Sequence, residues 1–130
     1  MATPERTSIE IPTFHHITGI PCASRLGPIL ASSIIPPFHP NTREVPDTIE
    51  GQVLNVFNRA GEILESAGAS WDRIVQMTFC VADLAYRAAL QAPWLERFPD
   101  PATRPARHTM LSDPGAPMLV SASFLAWLGD

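Results

Sequence analysis

The chain has 130 residues, 45% of them hydrophobic and only 17% charged, with 14 prolines and a formal net charge of −4. That is the length of one domain with ordinary apolar content, which excludes wholesale disorder. All nine basic residues are arginine and they are scattered, which argues against a nucleic-acid or anionic-membrane surface, because phosphate neutralisation needs a basic patch.

Residues 1–12 are polar, carry Pro4 and Pro12, and read as a loose arm ahead of a single domain over 13–130. They hold no apolar core of a secretory signal, and no run approaches the ~20 residues needed to span a bilayer. Cys22 and Cys80 lack a C-x-x-C spacing, so reduced thiols in a cytoplasmic protein are expected.

Phe14 to Ala23 is a weak strand candidate, since Pro21 interrupts it. Gly27 to Ile35 (GPILASSII) is a short apolar run bounded by glycine and proline, which predicts a buried strand. A proline-rich loop follows from Pro36 to Thr42. Ile49, Val53, Val56, Phe57, Ala60, Ile63, Leu64 and Ala67 then recur at helical spacing, with Asp47 and Glu50 at the start and Gly68 at the end. Arg59, Glu62 and Glu65 are placed on the outer face of that helix.

Ile74 to Ala82 (IVQMTFCVA) predicts a strand. Val75, Met77, Phe79 and Val81 are expected on a helix-covered face. Ile74, Gln76, Thr78, Cys80 and Ala82 are expected on a mixed face against a subunit or ligand. Asp83 can begin a second helix over Leu84 to Phe98, which Pro93 should kink or divide. Two strands close the chain, Ala106 to Ser112 and Met118 to Trp127, around a turn at Asp113-Pro114-Gly115.

The order predicts an α+β architecture, a mixed sheet with two helices on one face. The other face must then be covered, and in so short a chain that implies oligomerisation.

The helix ending Ile63-Leu64-Glu65-Ser66-Ala67-Gly68, the strand Ile74-Val75-Gln76-Met77-Thr78, the segment Ala82-Asp83-Leu84 and the loop Arg104-Pro105-Ala106-Arg107-His108-Thr109 occur in a telling order. Together they resemble the Rid family (reactive intermediate deaminases, also YjgF/UK114) from about Ile29 onward. The resemblance implies a chorismate-mutase-like fold, a homotrimer with a ligand pocket at each subunit interface, and no cofactor. It implies hydrolysis of small enamine and imine acids to a keto acid and ammonia. The alternative is a non-catalytic or differently catalytic relative that binds a small carboxylate. RNA cleavage, attached to some members, fits this acidic chain worst.

The resemblance assigns the carboxylate grip to Arg107, whose planar fork matches a carboxylate. It places Thr109 in the pocket and matches Ser32 and Gln91 to further ligand-binding positions. The family's glutamate near the hydrolytic water is replaced by Ser123 or Ser121, and a neutral hydroxyl is a poor general base. Gly19-Ile20-Pro21-Cys22-Ala23 also departs from the family, so the pocket wall differs. His15, His16 and Cys22 are candidates to supply the missing chemistry. Cys80 reads as a small core residue, Arg104 as structural, and His108 as facing away from Arg107. The four histidines, His39 included, lack metal-ligand spacing, so no metal site is expected.

Overall fold

A computed structural model describes residues 5–130. The strands are β1 (Arg6–Ile9), β2 (Ala23–Leu26), β3 (Ile29–Ser32), β4 (Ile74–Val81), β5 (Ala106–Leu111) and β6 (Val120–Trp127). They form one mixed sheet in the order β1-β2-β3-β6-β4-β5, with β4 and β5 parallel. Helix α1 (Ile49–Ser66), a 3-10 segment (Leu84–Leu90) and helix α2 (Gln91–Arg97) pack on one face. The expected α+β class is therefore what the chain adopts.

Residues 6–9, read as part of a loose arm, instead form β1, pairing antiparallel with β2. The first four residues of that arm lie outside the described ones. Between Phe14, which makes an isolated bridge with Ile11, and Ala23, which opens β2, no strand forms, as Pro21 favours.

Thr48, not Asp47, caps α1, its hydroxyl accepting the Gly51 N–H at 3.1 Å. The stripe Val53, Val56, Phe57, Ala60, Ile63 and Leu64 is fully buried, and Gly68 leaves the helix at φ +72°. Arg59 is not on an outer face. It is 4% exposed and 3.3 Å from Glu62. The segment before β2 crosses this flank, with Thr13 bonded to Glu62 and the Ser66 hydroxyl donating to the Glu10 carbonyl at 2.8 Å.

A β-bulge corrects the expected strand faces. Ile74 opposes Ala126 and Gln76 opposes Leu125, so Val75 is the extra residue. Val75 is pushed outward, 52% exposed, while Ile74 joins Met77, Phe79 and Val81 in the core. One added residue inverts the parity of everything before it.

The second helix is divided as expected. Asp83 accepts the Ala85 N–H at 2.8 Å and opens the 3-10 segment. Pro93 is the third residue of α2, inside a first turn whose N–H groups have no intrahelical partner, so the ring costs no helical bond there. Phe57, Trp71, Phe79, Trp94 and Phe98 form a chain of rings with centroids 4.6–6.3 Å apart between helices and sheet.

Candidate functional site

The register of β5 on β4 decides where the site residues point. Met77 pairs with Arg107 and Phe79 with Thr109, and laterally paired residues share a face. Arg107 and Thr109 therefore lie together on the helix-covered side, at the edge strand. The Arg107 guanidinium carbon sits 5.0 Å from the ring centre of Trp94. Its Nη1 is buried and has no hydrogen-bond partner among the described residues. The ion pairs among those residues are Arg59–Glu62 and Arg97–Glu96, so Arg107 faces no carboxylate of its own chain. Burial lowers its pKa, yet an arginine keeps its charge. Gln91, exposed, opens α2 three residues before Trp94.

Ser121 and Ser123 lie on the opposite face. They pair with Cys80 and Thr78, out of phase with Met77 and Phe79. Ser121 is 6% exposed and Ser123 is half-buried. Ser32 lies where the β3–β6 ladder breaks. Pairing runs to Ala31–Leu125 and resumes at Ile35–Ala122, one residue longer on the β3 side. The Ser32 hydroxyl fills that gap by accepting the Phe124 N–H at 2.8 Å. One chain thus brings Arg107 and Thr109 together, and Ser121 and Ser123 together, on opposite sides of one sheet.

The remaining candidates separate clearly. Cys22 is 1% exposed, its thiol held 3.4 Å from the Phe14 carbonyl. Burial, then the hydrogen bond with Glu10, pushes its pKa up to about 11, which removes it as a nucleophile. Cys80 is half-exposed rather than a core residue, and it lines an open-face cleft with His16 and Ser121. Burial lowers the His16 pKa below 6.5, and its Nε2 is buried without a partner. His15 is exposed. His108 pairs with Thr78 and faces away from Arg107. Arg104 holds its loop, donating to the Phe98 and Pro99 carbonyls at 2.8 and 3.3 Å. No cluster of three His, Cys, Asp or Glu side chains occurs among the described residues. No helix there is long and apolar enough to cross a membrane.

Sequence reasoning missed Trp94 as the platform under Arg107. An aromatic residue at helical spacing signals core, and only the parallel pairing of β5 brings the arginine over its ring.

The profile of the family described as Endoribonuclease L-PSP matches residues 23–112. Reactive Intermediate Deaminase A, chloroplastic, of Arabidopsis thaliana is 35% identical over 65 residues, half of this chain. That alignment spans only 34% of the plant protein's length. Among solved structures, the YjgF gene product of E. coli superposes with a TM-score of 0.82 at 24% identity, covering 93% of this chain and 98% of that one. YyfA of Yersinia pestis, a conserved Rid family protein of unknown function, gives 0.86 at 23% identity over 95% and 99%. RidA from Psychrobacter sp. PAMC 21119 gives 0.84 at 21% over 93% and 98%. These likenesses carry the fold, and with the profile match they place the chain in the Endoribonuclease L-PSP family, the Rid/YjgF proteins.

Proposed function

We propose that this chain binds small imino or enamine acids by their carboxylate through Arg107 and hydrolyses them to a keto acid and ammonia. The observation that carries the reading is the Arg107 guanidinium, stacked on Trp94, with a buried donor and no carboxylate of its own chain to meet it. A planar cation with an unmet donor suits a bidentate carboxylate. The family name includes endoribonuclease, but a lysine-free chain of net charge −4 suits a small acid better than RNA.

In the reaction, the oxygen of water bonds to the C=N carbon of the iminium. The C=N π pair and one of water's protons go to nitrogen. The remaining hydroxyl proton follows as the C–N bond breaks and the C=O forms, and the nitrogen leaves as ammonium, the protonated form of ammonia. An enamine first takes a proton at its terminal carbon to give this iminium. Ser123 replaces a carboxylate at the position that orients this water, with Thr109 beside the bound carboxylate. Catalysis then rests on orientation and partial desolvation rather than on a strong base.

The reading includes a homotrimer. Ser123 and Arg107 lie on opposite faces of one copy, so they meet only if the open face of one copy meets the β5 edge of another. Exposed apolar side chains support such contacts: Leu125 and Trp127 on the open end of β6, Met110 and Leu111 on β5.

A second reading keeps the carboxylate site without imine hydrolysis. It is favoured by the serines at 121 and 123. Freshly generated 2-iminopropanoate separates the two. Decay faster than buffer, lost in Arg107→Ala, supports the hydrolase. Decay at the buffer rate by folded protein of trimeric mass overturns it, and Arg107-dependent binding of pyruvate then supports the second reading.

A further inference from the structure

Hydrolysis of an imine needs a group that carries water's proton, and the hydroxyls of Ser121 and Ser123 are poor bases. The cleft on their face of the sheet has Ser121 and Cys80 on its floor, side by side across β6 and β4. No Asp or Glu among the described residues lines it. Arg43 does, but a guanidinium keeps its proton and cannot accept another. The remaining side chain there that suits proton transfer near neutral pH is His16.

His16 reaches the cleft from the loop between β1 and β2. Its ring meets the edge of Phe14 at 4.6 Å, and Phe14 lies 5.8 Å from Phe38, so an apolar wall holds it. Its Nε2 is buried and has no hydrogen-bond partner among the described residues. Such an unmet nitrogen costs about 1 kcal/mol or more, which packing alone does not explain. Arg43, Glu10, His15 and Cys80 are the charged or titratable groups that share a cleft with it. Burial is the largest influence and lowers its pKa below 6.5; the Ile34 backbone raises it, Arg43 lowers it and Glu10 raises it. The ring is therefore neutral at pH 7 and free to accept a proton. His108 stands on the same open face, but it is exposed on the edge strand and lines no part of this cleft.

We propose that His16 is the base of the hydrolysis, taking a proton from the water that attacks the C=N carbon. This role rests on the reading of Arg107 as the carboxylate grip, with the open face of one copy meeting the β5 edge of another. As the water oxygen bonds to carbon, one proton passes to the ring and the π pair passes to nitrogen. The ring hands that proton to nitrogen. It then takes the remaining hydroxyl proton as the C–N bond breaks and the C=O forms, and returns it to the departing nitrogen, which leaves as ammonium. His16 ends neutral, as it began. A base of lowered pKa is weak, so it adds to orientation and desolvation rather than replacing them.

The test follows 2-iminopropanoate decay above the buffer rate between about pH 5.5 and about pH 8, with pyruvate binding as the measure of an intact site. His16→Asn should lose about a hundredfold in kcat, the lower end for a positioned proton carrier, with KM and pyruvate binding within about twofold of the parent. His108→Asn should keep the parent rate. The parent's kcat/KM should fall as the pH drops below 6.5, with a midpoint matching the His16 titration seen by NMR, a comparison that needs no variant. An active parent with an unchanged kcat in His16→Asn overturns the role of His16 alone, as does a midpoint that departs from the His16 titration. A folded parent no faster than buffer overturns it together with the hydrolase reading.

Discussion

Replacing Arg107 by alanine should separate function from stability. In the folded chain this guanidinium has no ion-pair partner among the described residues, and its Nη1 is buried without a hydrogen bond. Removing it forfeits the stack on Trp94, worth about 0.5–1 kcal/mol at a partly exposed site. It also removes a buried donor left unsatisfied, a cost of about 1 kcal/mol or more while it is present. The two nearly cancel, so stability should stay within about 1 kcal/mol of the parent. A bound carboxylate loses two charge-assisted hydrogen bonds. At the lower end of their range this is about 3 kcal/mol, or about a hundredfold in affinity or in kcat/KM. Urea unfolding reads the first quantity. Pyruvate titration and 2-iminopropanoate decay read the second. Arg107→Lys keeps the charge but not the fork, and should recover less than about a tenth of the loss. A stability loss above about 2 kcal/mol with ligand binding unchanged would show that Arg107 is structural and does not hold a carboxylate.

Gln52 is 1% exposed, donates to the Pro46 and Pro117 carbonyls at 2.9 and 3.1 Å, and accepts from the Leu119 N–H at 2.7 Å. Gln52→Leu should cost about 2–4 kcal/mol in urea unfolding, because three backbone groups lose their partner; a loss below about 1 kcal/mol would mean that they find others. Toward a disulfide reagent, Cys22 of the native protein should react only on unfolding, and more slowly than Cys80. Equal rates at both would contradict the burial of Cys22. Burial holds His16 below its ordinary 6.5, so the unfolded chain binds its proton at a pH where the folded chain does not. Stability from this group is complete above pH 6.5 and falls as the pH drops toward the lowered folded value. Urea midpoints between about pH 7.5 and about pH 5.5 should therefore fall less in His16→Asn than in the parent, and equal slopes would exclude His16 as the source.

The legible parts of this protein are those set by local pattern. The 3–4 residue spacing from Ile49 to Ala67 marks the one long helix, because burying a single stripe demands that spacing. Pro93 marks the division of the second helical stretch. The Pro-Ala-Arg segment marked Arg107 through its resemblance to a family, and no property of the residue alone would have done so. What was not legible depended on a second segment. The bulge at Val75 arises from pairing with β6, and no alternation rule within Ile74 to Ala82 contains it. Arg59 is buried because residues 10–16 cross the helix flank, and a helical wheel drawn on α1 alone puts it in water. Strand β1 is short and exposed, and it exists through the ladder β2 offers rather than through its own propensity.

From residue periodicity and the order of short motifs alone come the class, the long helix, the two C-terminal strands and the family. The faces were decided by tertiary structure. Parallel pairing of β5 with β4 puts Arg107 on Trp94, and antiparallel pairing of β6 puts Ser121 and Ser123 behind the sheet. The loop before β2 and the loop after β3 converge to set Arg43 on Phe14 and Phe38 beside His16. Side-chain direction in a sheet has a period of two, so one bulge or one change of register reverses it. That information lies in the pairing of segments far apart in the chain, which is why composition and spacing named the residues and only the fold decided which of them meet.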